Sequence, residues 1–370
     1  MVNMKMRPMR KICICGGGSV AHVLSAVLGN NKECIVNVLT RNPHLWENEI
    51  EIDYKGVGLL KGKLNKVSAK PVEVLSDADL VFIVVPTFAY KELWHSIKDV
   101  IPNEAVLGAF AGNGGFDWIV KEHQGTVFGM QRIPYVCRTV VYGKSVFVKG
   151  VRKTISIGTR PANKAASLAT VLSGLLQIEI SALPNYLNVG LAPSNPILHS
   201  VRMYSLYSML QTQKIPNGGI MFYEHWDDLA SKLFFSCDEE IQRVCRVLSI
   251  DTTAVLSISQ HYGVDTITEL SIVIRQIESL KGLTAPVLDS KYPLRIDLSH
   301  RFIIEDVLVN LPVYQHYGRL ANVRMDTIDK LVKWGVDMTA KSGICPDYNA
   351  VDCAVEAGVT DLQSLIDFYR

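Results

Sequence analysis

A short apolar run, Ile12-Cys13-Ile14-Cys15, leads into three glycines and then into a small-residue amphipathic stretch from Val20 to Leu28. That order predicts a buried strand, a tight turn and a helix in immediate succession. Residues 33–40 predict a second buried strand, closed by the turn Arg41-Asn42-Pro43-His44. Residues 70–75 predict a short strand. Residues 78–86 predict a stronger one, because their β-branched run suits a strand covered on both faces. Residues 105–111 predict another, ended by Gly112-Asn113-Gly114-Gly115. The pattern then becomes strand-rich from 126 to 157, helical over 162–176, and extended again over 178–181. Farther on, Leu233, Cys237, Ile241, Val244 and Leu248 recur at helical spacing, as do Ile328, Leu331 and Trp334 behind an expected cap at Asp326.

Strands alternating with helices imply an α/β, Rossmann-type doubly wound parallel sheet over residues 1–183. The long helical periods imply a mostly helical second domain over 184–370. A chain of 370 residues fits two cores better than one. With 48% hydrophobic and 20% charged residues, disorder is excluded. A net charge of +2 with no basic stripe argues against nucleic acid as a partner. The eight cysteines, at 13, 15, 34, 137, 237, 245, 345 and 353, contain no C-x-x-C pair. Neither a metal site nor a disulfide framework is expected, and a reducing cytoplasm suits this usage. Lys5, Arg7, Arg10 and Lys11 imitate the start of a secretory signal, but three glycines interrupt the apolar stretch behind them. No apolar run reaches the length of a membrane span, so no membrane association is expected.

The run Gly16-Gly17-Gly18-Ser19-Val20-Ala21 has the G-x-G-x-x-A form of a dinucleotide-binding turn. Gly16 suits the tight turn, Gly18 the approach of a pyrophosphate, and Ala21 close packing of helix on strand. Pro86 and Thr87 fall at the carboxyl edge of the predicted sheet, where open α/β folds place ligands. At the end of the second strand an NAD-specific domain carries an acid for the ribose hydroxyls, whereas this chain has Thr40-Arg41-Asn42. Thr40 and Arg41 suit a 2′-phosphate, which favours NADP over NAD. Arg41 as a solvated turn residue, or stacked on adenine, remains an alternative.

Catalytic candidates come from the second half. Asn195 and His199 are four residues apart at the start of a predicted helix, so they share a face. A histidine so placed suits acid–base work near neutral pH, and a satisfied structural histidine is the competing assignment. In His300-Arg301-Phe302-Ile303-Ile304-Glu305-Asp306, two carboxylates sit inside an apolar sequence. Asp306 paired with His199 would fix the tautomer of the imidazole, and Arg301 could clamp a substrate carboxylate. A salt bridge between helices is the simpler alternative.

Taken together, these residues resemble the octopine/nopaline (opine) dehydrogenases. The resemblance rests on the turn at 16–21, on Pro134-Tyr135-Val136-Cys137-Arg138, on Asn195 with His199, on Phe222-Tyr223 followed by Asp238-Glu239-Glu240, and on Arg301 with Glu305-Asp306. One departure is His199-Ser200, where the family often has His-Pro. The resemblance implies NAD(P)H-dependent reductive condensation of a 2-oxo acid with the amino group of an amino acid, or the reverse oxidation. It implies His199 and Asp306 as the acid–base pair, Arg301 for the oxo acid carboxylate, Tyr223 and Glu224 as pocket residues, and an interdomain cleft that closes on the substrates. Core packing of Tyr223 stays open, as does a homodimer. A 2-oxopantoate reductase or glycerol-3-phosphate dehydrogenase relative, using Lys214, Lys232 or Lys281, is the enzymatic alternative. A non-catalytic NADP-binding sensor is the alternative of another class.

Overall fold

The computed structural model describes residues 10–54, 58–193, 195–212, 219–251, 253–288, 295–344, 346 and 349–370. Lys214 and Cys345 lie outside the described residues. The chain divides into two compact units. The first comprises residues 1–112 and 120–186, and the second residues 113–119 and 187–370.

The first unit is built in chain order from β1 (Arg10–Cys15), α1 (Ser19–Asn30), β2 (Cys34–Leu39), β3 (Glu49–Tyr54), β4 (Gly58–Lys63), β5 (Lys66–Ser68), α2 (Pro71–Leu75), β6 (Leu80–Ile83), α3 (Tyr90–Ile97) and β7 (Val106–Ala109). After α4 (Phe116–Ile119), which belongs to the second unit, come β8 (Val127–Met130), β9 (Tyr135–Val141), β10 (Ser145–Val151), β11 (Thr154–Arg160), α5 (Ala165–Leu176) and β12 (Glu179–Ala182). Eight strands form the main sheet in the order β12-β11-β8-β7-β6-β1-β2-β5. All its pairings are parallel except β8 with β11. Ile12, Cys13, Ile14 and Cys15 have no exposed surface, as expected of a strand covered on both faces.

Residues 70–75 are not a strand. Pro71 opens α2 at a position that needs no N–H, and β5 takes the edge position beside β2. A second sheet, β4-β3-β10-β9, did not stand out in the sequence. It packs on α1, so that helix is covered by strands of both sheets. The contact with β4 is close. A Cβ on Gly62 would collide with the backbone of Ala26, and one on Gly29 with that of Lys63. Glycine at both positions lets helix and strand backbones touch.

The second unit is mostly helical: α6 (Leu187–Gly190), α7 (Asn195–Gln211), α8 (Asp228–Val247), α9 (Ile258–Tyr262), α10 (Ile267–Gln276), a π-wound helix (Phe302–Asn310), α11 (Leu311–Leu320), α12 (Asp326–Ala340), α13 (Ala350–Glu356) and α14 (Leu362–Phe368). The periodic residues Leu233, Cys237, Ile241 and Val244 are the buried stripe of α8. Asp326 does not cap α12. It is the first helical residue and its carboxylate pairs with Arg324 at 3.0 Å. The cap comes from α8 instead: the Glu240 carboxylate accepts the amides of Thr327 at 2.6 Å and Ile328 at 3.1 Å. Sequence proximity favoured Asp326, but a carboxylate brought by tertiary packing satisfies the same orphan donors. Among the described residues, no helix is long and apolar enough to cross a membrane.

His22 lies wholly inside the first unit. Its Nε2 accepts the Gly143 amide at 2.7 Å, so its proton sits on Nδ1, 2.9 Å from the Gly18 carbonyl that accepts it. Burial pushes its pKa below the ordinary histidine value. The unfolded chain therefore binds a proton that the folded chain refuses. The His22 contribution is fully present above about pH 6.5 and is lost as pH falls through the folded value. Replacing His22 with Gln should flatten the fall in thermal unfolding midpoint between pH 7 and pH 5. An unchanged slope would remove His22 as a contributor.

Candidate active site

Each unit holds one group of the candidate residues. In the first, β1 ends at Cys15 and the chain turns at Gly16, whose φ of +147° is open to glycine. A Cβ there would also strike the carbonyl of Val84 at the end of β6. Gly17 faces two hydroxyls: its Cβ would lie 2.5 Å from the Tyr142 hydroxyl and 2.9 Å from Thr40 Oγ1. Gly18 is different. It is exposed, and beyond its two chain neighbours no protein atom lies within 4 Å of where its Cβ would stand.

The helix behind it begins with no side-chain cap and no acid in its first turn. An open face over Gly18 and uncapped amides at a helix start fit the pyrophosphate of a dinucleotide. Ser19 Oγ is 3.0 Å from Thr139 Oγ1 and also accepts the Thr139 amide. Val20 is half-buried, and Ala21 is fully buried against the sheet. Thr40 follows β2, buried, with Oγ1 3.3 Å from the Tyr142 hydroxyl, while Arg41 is exposed on the next turn. Pro86 and the buried Thr87 follow β6 at the carboxyl edge of the sheet.

In the second unit a buried relay crosses three elements. His199 on α7 places Nδ1 2.8 Å from Asp306 Oδ2 and Nε2 3.0 Å from the Tyr223 hydroxyl. All three residues are buried. A carboxylate only accepts, so Nδ1 carries the proton of the neutral ring, and Nε2 is left as acceptor toward the tyrosine. Phe302 stacks on the imidazole with ring centroids 3.9 Å apart, at an angle of 23°. Asn310 donates to Asp306 Oδ1 at 3.3 Å and to the Glu305 carbonyl at 2.8 Å. Asp306 and its neighbours lie on the π-wound helix, where the wider turn makes successive side chains diverge less. Glu305 and Asp306 are both buried there.

Arg301 stands beside this helix with a half-exposed guanidinium, 2.6 Å from Glu305. Burial works against its charge, yet the Glu305 and Asp306 carboxylates hold its pKa above the ordinary value. The salt bridge weighed as the alternative, between helices, is seen for Arg301 as an ion pair with a residue only four positions on. Asn195 is exposed at the first position of α7, one turn before the buried His199. Glu224, next to Tyr223, accepts the Gly282 amide at 2.7 Å. Of the lysines in the alternative, Lys281 pairs with Glu278 at 2.9 Å and Lys232 is exposed on α8.

Arg202 is a buried neighbour of this site that the sequence did not reveal. It lies one turn beyond His199 on α7 with no exposed surface. Its Nε donates to the Phe222 carbonyl at 2.8 Å, and Nη1 donates to Asp227 at 2.6 Å. Burial pushes its pKa down to about 10, while the Asp227 carboxylate works to keep it charged. These bonds tie the 222–227 segment to α7 and so set Tyr223 against His199. An arginine flanked by Val201 and Met203 gives no sequence signal for that role.

Residues 182–339 match the family model described as NAD/NADP octopine/nopaline dehydrogenase, alpha-helical domain. Residues 12–133 match ketopantoate reductase PanE/ApbA. The octopine dehydrogenase of Pecten maximus is 22% identical over 368 residues, covering 90% of this chain and 90% of that protein. A solved structure of octopine dehydrogenase with NADH and L-arginine superposes with a TM-score of 0.81 at 20% identity, covering 96% of this chain and 98% of that one. Yersinopine dehydrogenase with NADP+ bound superposes at 0.72 with 12% identity, covering 96% and 99%.

The geometry around His199 makes a spectroscopic prediction. Long-range 1H–15N spectra should show the neutral ring protonated at Nδ1. Asp306→Asn, which can donate to that nitrogen, should move the proton to Nε2. A ring protonated at Nε2 in the unsubstituted protein would contradict the assigned relay.

Proposed function

We propose that this chain, whose helical half carries the alpha-helical domain of the octopine/nopaline dehydrogenase family, is an NAD(P)H-dependent opine-type dehydrogenase. It joins a 2-oxo acid to the amino group of an amino acid through an imine and reduces that imine to a secondary amine, or runs the reverse oxidation. The buried line Asp306–His199–Tyr223 carries this reading.

Condensation requires protons to be moved at a defined place. The amine must be deprotonated to attack the carbonyl, and the carbinolamine oxygen must be protonated to leave as water. His199 Nε2 is the acceptor for the first transfer, directly or through the Tyr223 hydroxyl. The resulting imidazolium is stabilised by Asp306, held in turn by Asn310. The same proton returns to the departing hydroxyl, so the group ends neutral. Phe302 keeps water off one ring face and holds the ring's orientation. Arg301 offers the two parallel donors that a carboxylate takes bidentately, and its half-exposed position lets a substrate reach it. When bound, the reduced nicotinamide supplies a hydride to the imine carbon. Glu224 lies beside Tyr223, where its carboxylate would attract an ammonium group.

The cofactor is NADPH in preference to NADH. No acid stands at the end of β2 to take ribose hydroxyls, while Thr40 and the exposed Arg41 suit a 2′-phosphate. A ketopantoate reductase reading draws on the match over residues 12–133 and on solved ketopantoate reductase structures that, at 12–15% identity, share the fold alone.

The test is a matrix of 2-oxo acids against amino acids, followed by NADPH oxidation. One pair or a small group of pairs should turn over, and His199→Ala should reduce kcat by about a thousandfold or more. NADPH affinity should change by less than about twofold, because His199 lies in the other unit from the glycine turn. Near-normal turnover by that variant would sink the mechanism. Arg41→Ala should weaken NADPH about tenfold more than NADH. Equal losses would remove the case for a phosphate contact.

A further inference from the structure

The hairpin between β9 and β10 reaches the glycine turn, and its tip is fastened there. Gly143, with φ of +71°, forms the turn. Its amide donates to His22 Nε2, and its carbonyl accepts the Glu47 amide at 2.8 Å. The His22 ring lies 4.4 Å from that of Trp46, and the Tyr142 ring lies 5.5 Å from His22 and 6.0 Å from Trp46. Tyr142 is nevertheless 38% exposed. Its hydroxyl sits over Gly17 and 3.3 Å from Thr40 Oγ1.

That separation is long for a bond between two hydroxyls. Each hydroxyl gives up little by turning its proton toward a stronger acceptor. Thr40 follows β2 and precedes the exposed Arg41, and both hydroxyls stand over Gly17, one residue from the exposed Gly18.

We infer that Tyr142 is a nucleotide-binding residue, which with Thr40 forms a paired-hydroxyl seat for the 2′-oxygen group of an adenosine ribose. The inference rests on the reading of residues 16–21 as a dinucleotide turn. The two hydroxyls donate to the 2′ group and Arg41 supplies charge when that group is a phosphate. His22, Trp46 and Gly143 hold the hairpin tip before any ligand arrives, so little ordering remains to be done on binding.

Calorimetric titration with 2′,5′-ADP and 5′-AMP tests this without any turnover. Tyr142→Phe removes one oxygen and keeps the ring against Trp46 and His22. It should weaken 2′,5′-ADP about tenfold, while reduced nicotinamide mononucleotide, which lacks the adenosine half, and the ligand-free unfolding midpoint stay as they were. A larger loss for 2′,5′-ADP than for 5′-AMP assigns the seat to a phosphate, and equal losses assign it to the ribose hydroxyl. Either supports the inference. Unchanged affinity for both fragments in the variant overturns it. If the unsubstituted protein binds neither fragment, the inference and the NADP reading fail together. If it binds both fragments, loses them in Tyr142→Phe and yet turns over no substrate pair, the imine-reduction reading fails while the seat stands.

Discussion

An imidazole and a carboxylate buried side by side impose the strictest condition on the helical unit. Asp306 and His199 lose water on folding, and each polar atom left without a partner would cost about 1–3 kcal/mol. The surrounding elements are arranged to prevent that. Asn310 covers the second Asp306 oxygen, and Tyr223 covers the far nitrogen of the ring. The π winding from Phe302 to Asn310 sets the aromatic face, the carboxylate and the amide that serve His199 on one short segment. Arg202, itself buried, then ties the segment carrying Tyr223 to the helix carrying His199. Three elements therefore answer to one hydrogen-bonded pair.

The nucleotide half obeys a different constraint, one of space rather than charge. Gly16 and Gly17 are glycines because the Val84 carbonyl and two hydroxyls occupy the volume a side chain would need. Gly18 has open space where a side chain would stand, as the proposed docking of a pyrophosphate requires. The three positions look alike in sequence and differ in what surrounds them. Only the third is exposed. α1 is fixed between two sheets by the same economy, through Gly29 and Gly62 against β4 and α1 respectively.

The fold class was legible because its signals are local. The strand–glycine–helix order at 10–28, the buried runs of β2 and β6, and the stripe of α8 each show in a single window. The second sheet was less legible. β3 and β4 carry glutamates and lysines that pair across their surface, with Lys61 reaching Glu49 and Glu51, so neither strand shows a clean apolar run. The cap of α12 was misplaced for a related reason, since Glu240 lies 87 residues from the amide it holds. In the candidate site, His199 and Asp306 were found because polar residues stand out in apolar sequence. Arg202 and Phe302 were not, since a buried arginine and a stacked phenylalanine acquire their roles only from what folding brings to them.

The same distinction bears on how the nucleotide is chosen. Thr40 and Arg41 are adjacent in sequence and suggest a phosphate by themselves. The fold brings the Tyr142 hydroxyl, about a hundred residues away, beside Thr40 through a hairpin that belongs to the second sheet. That sheet is held to α1 by His22, whose two nitrogens join the Gly18 carbonyl to the Gly143 amide. The imidazole thereby links the turn where a pyrophosphate would dock to the hairpin that overhangs the ribose end. On the proposed seat, selectivity at the end of β2 depends on a tertiary arrangement, which Trp46 and His22 hold without touching the nucleotide.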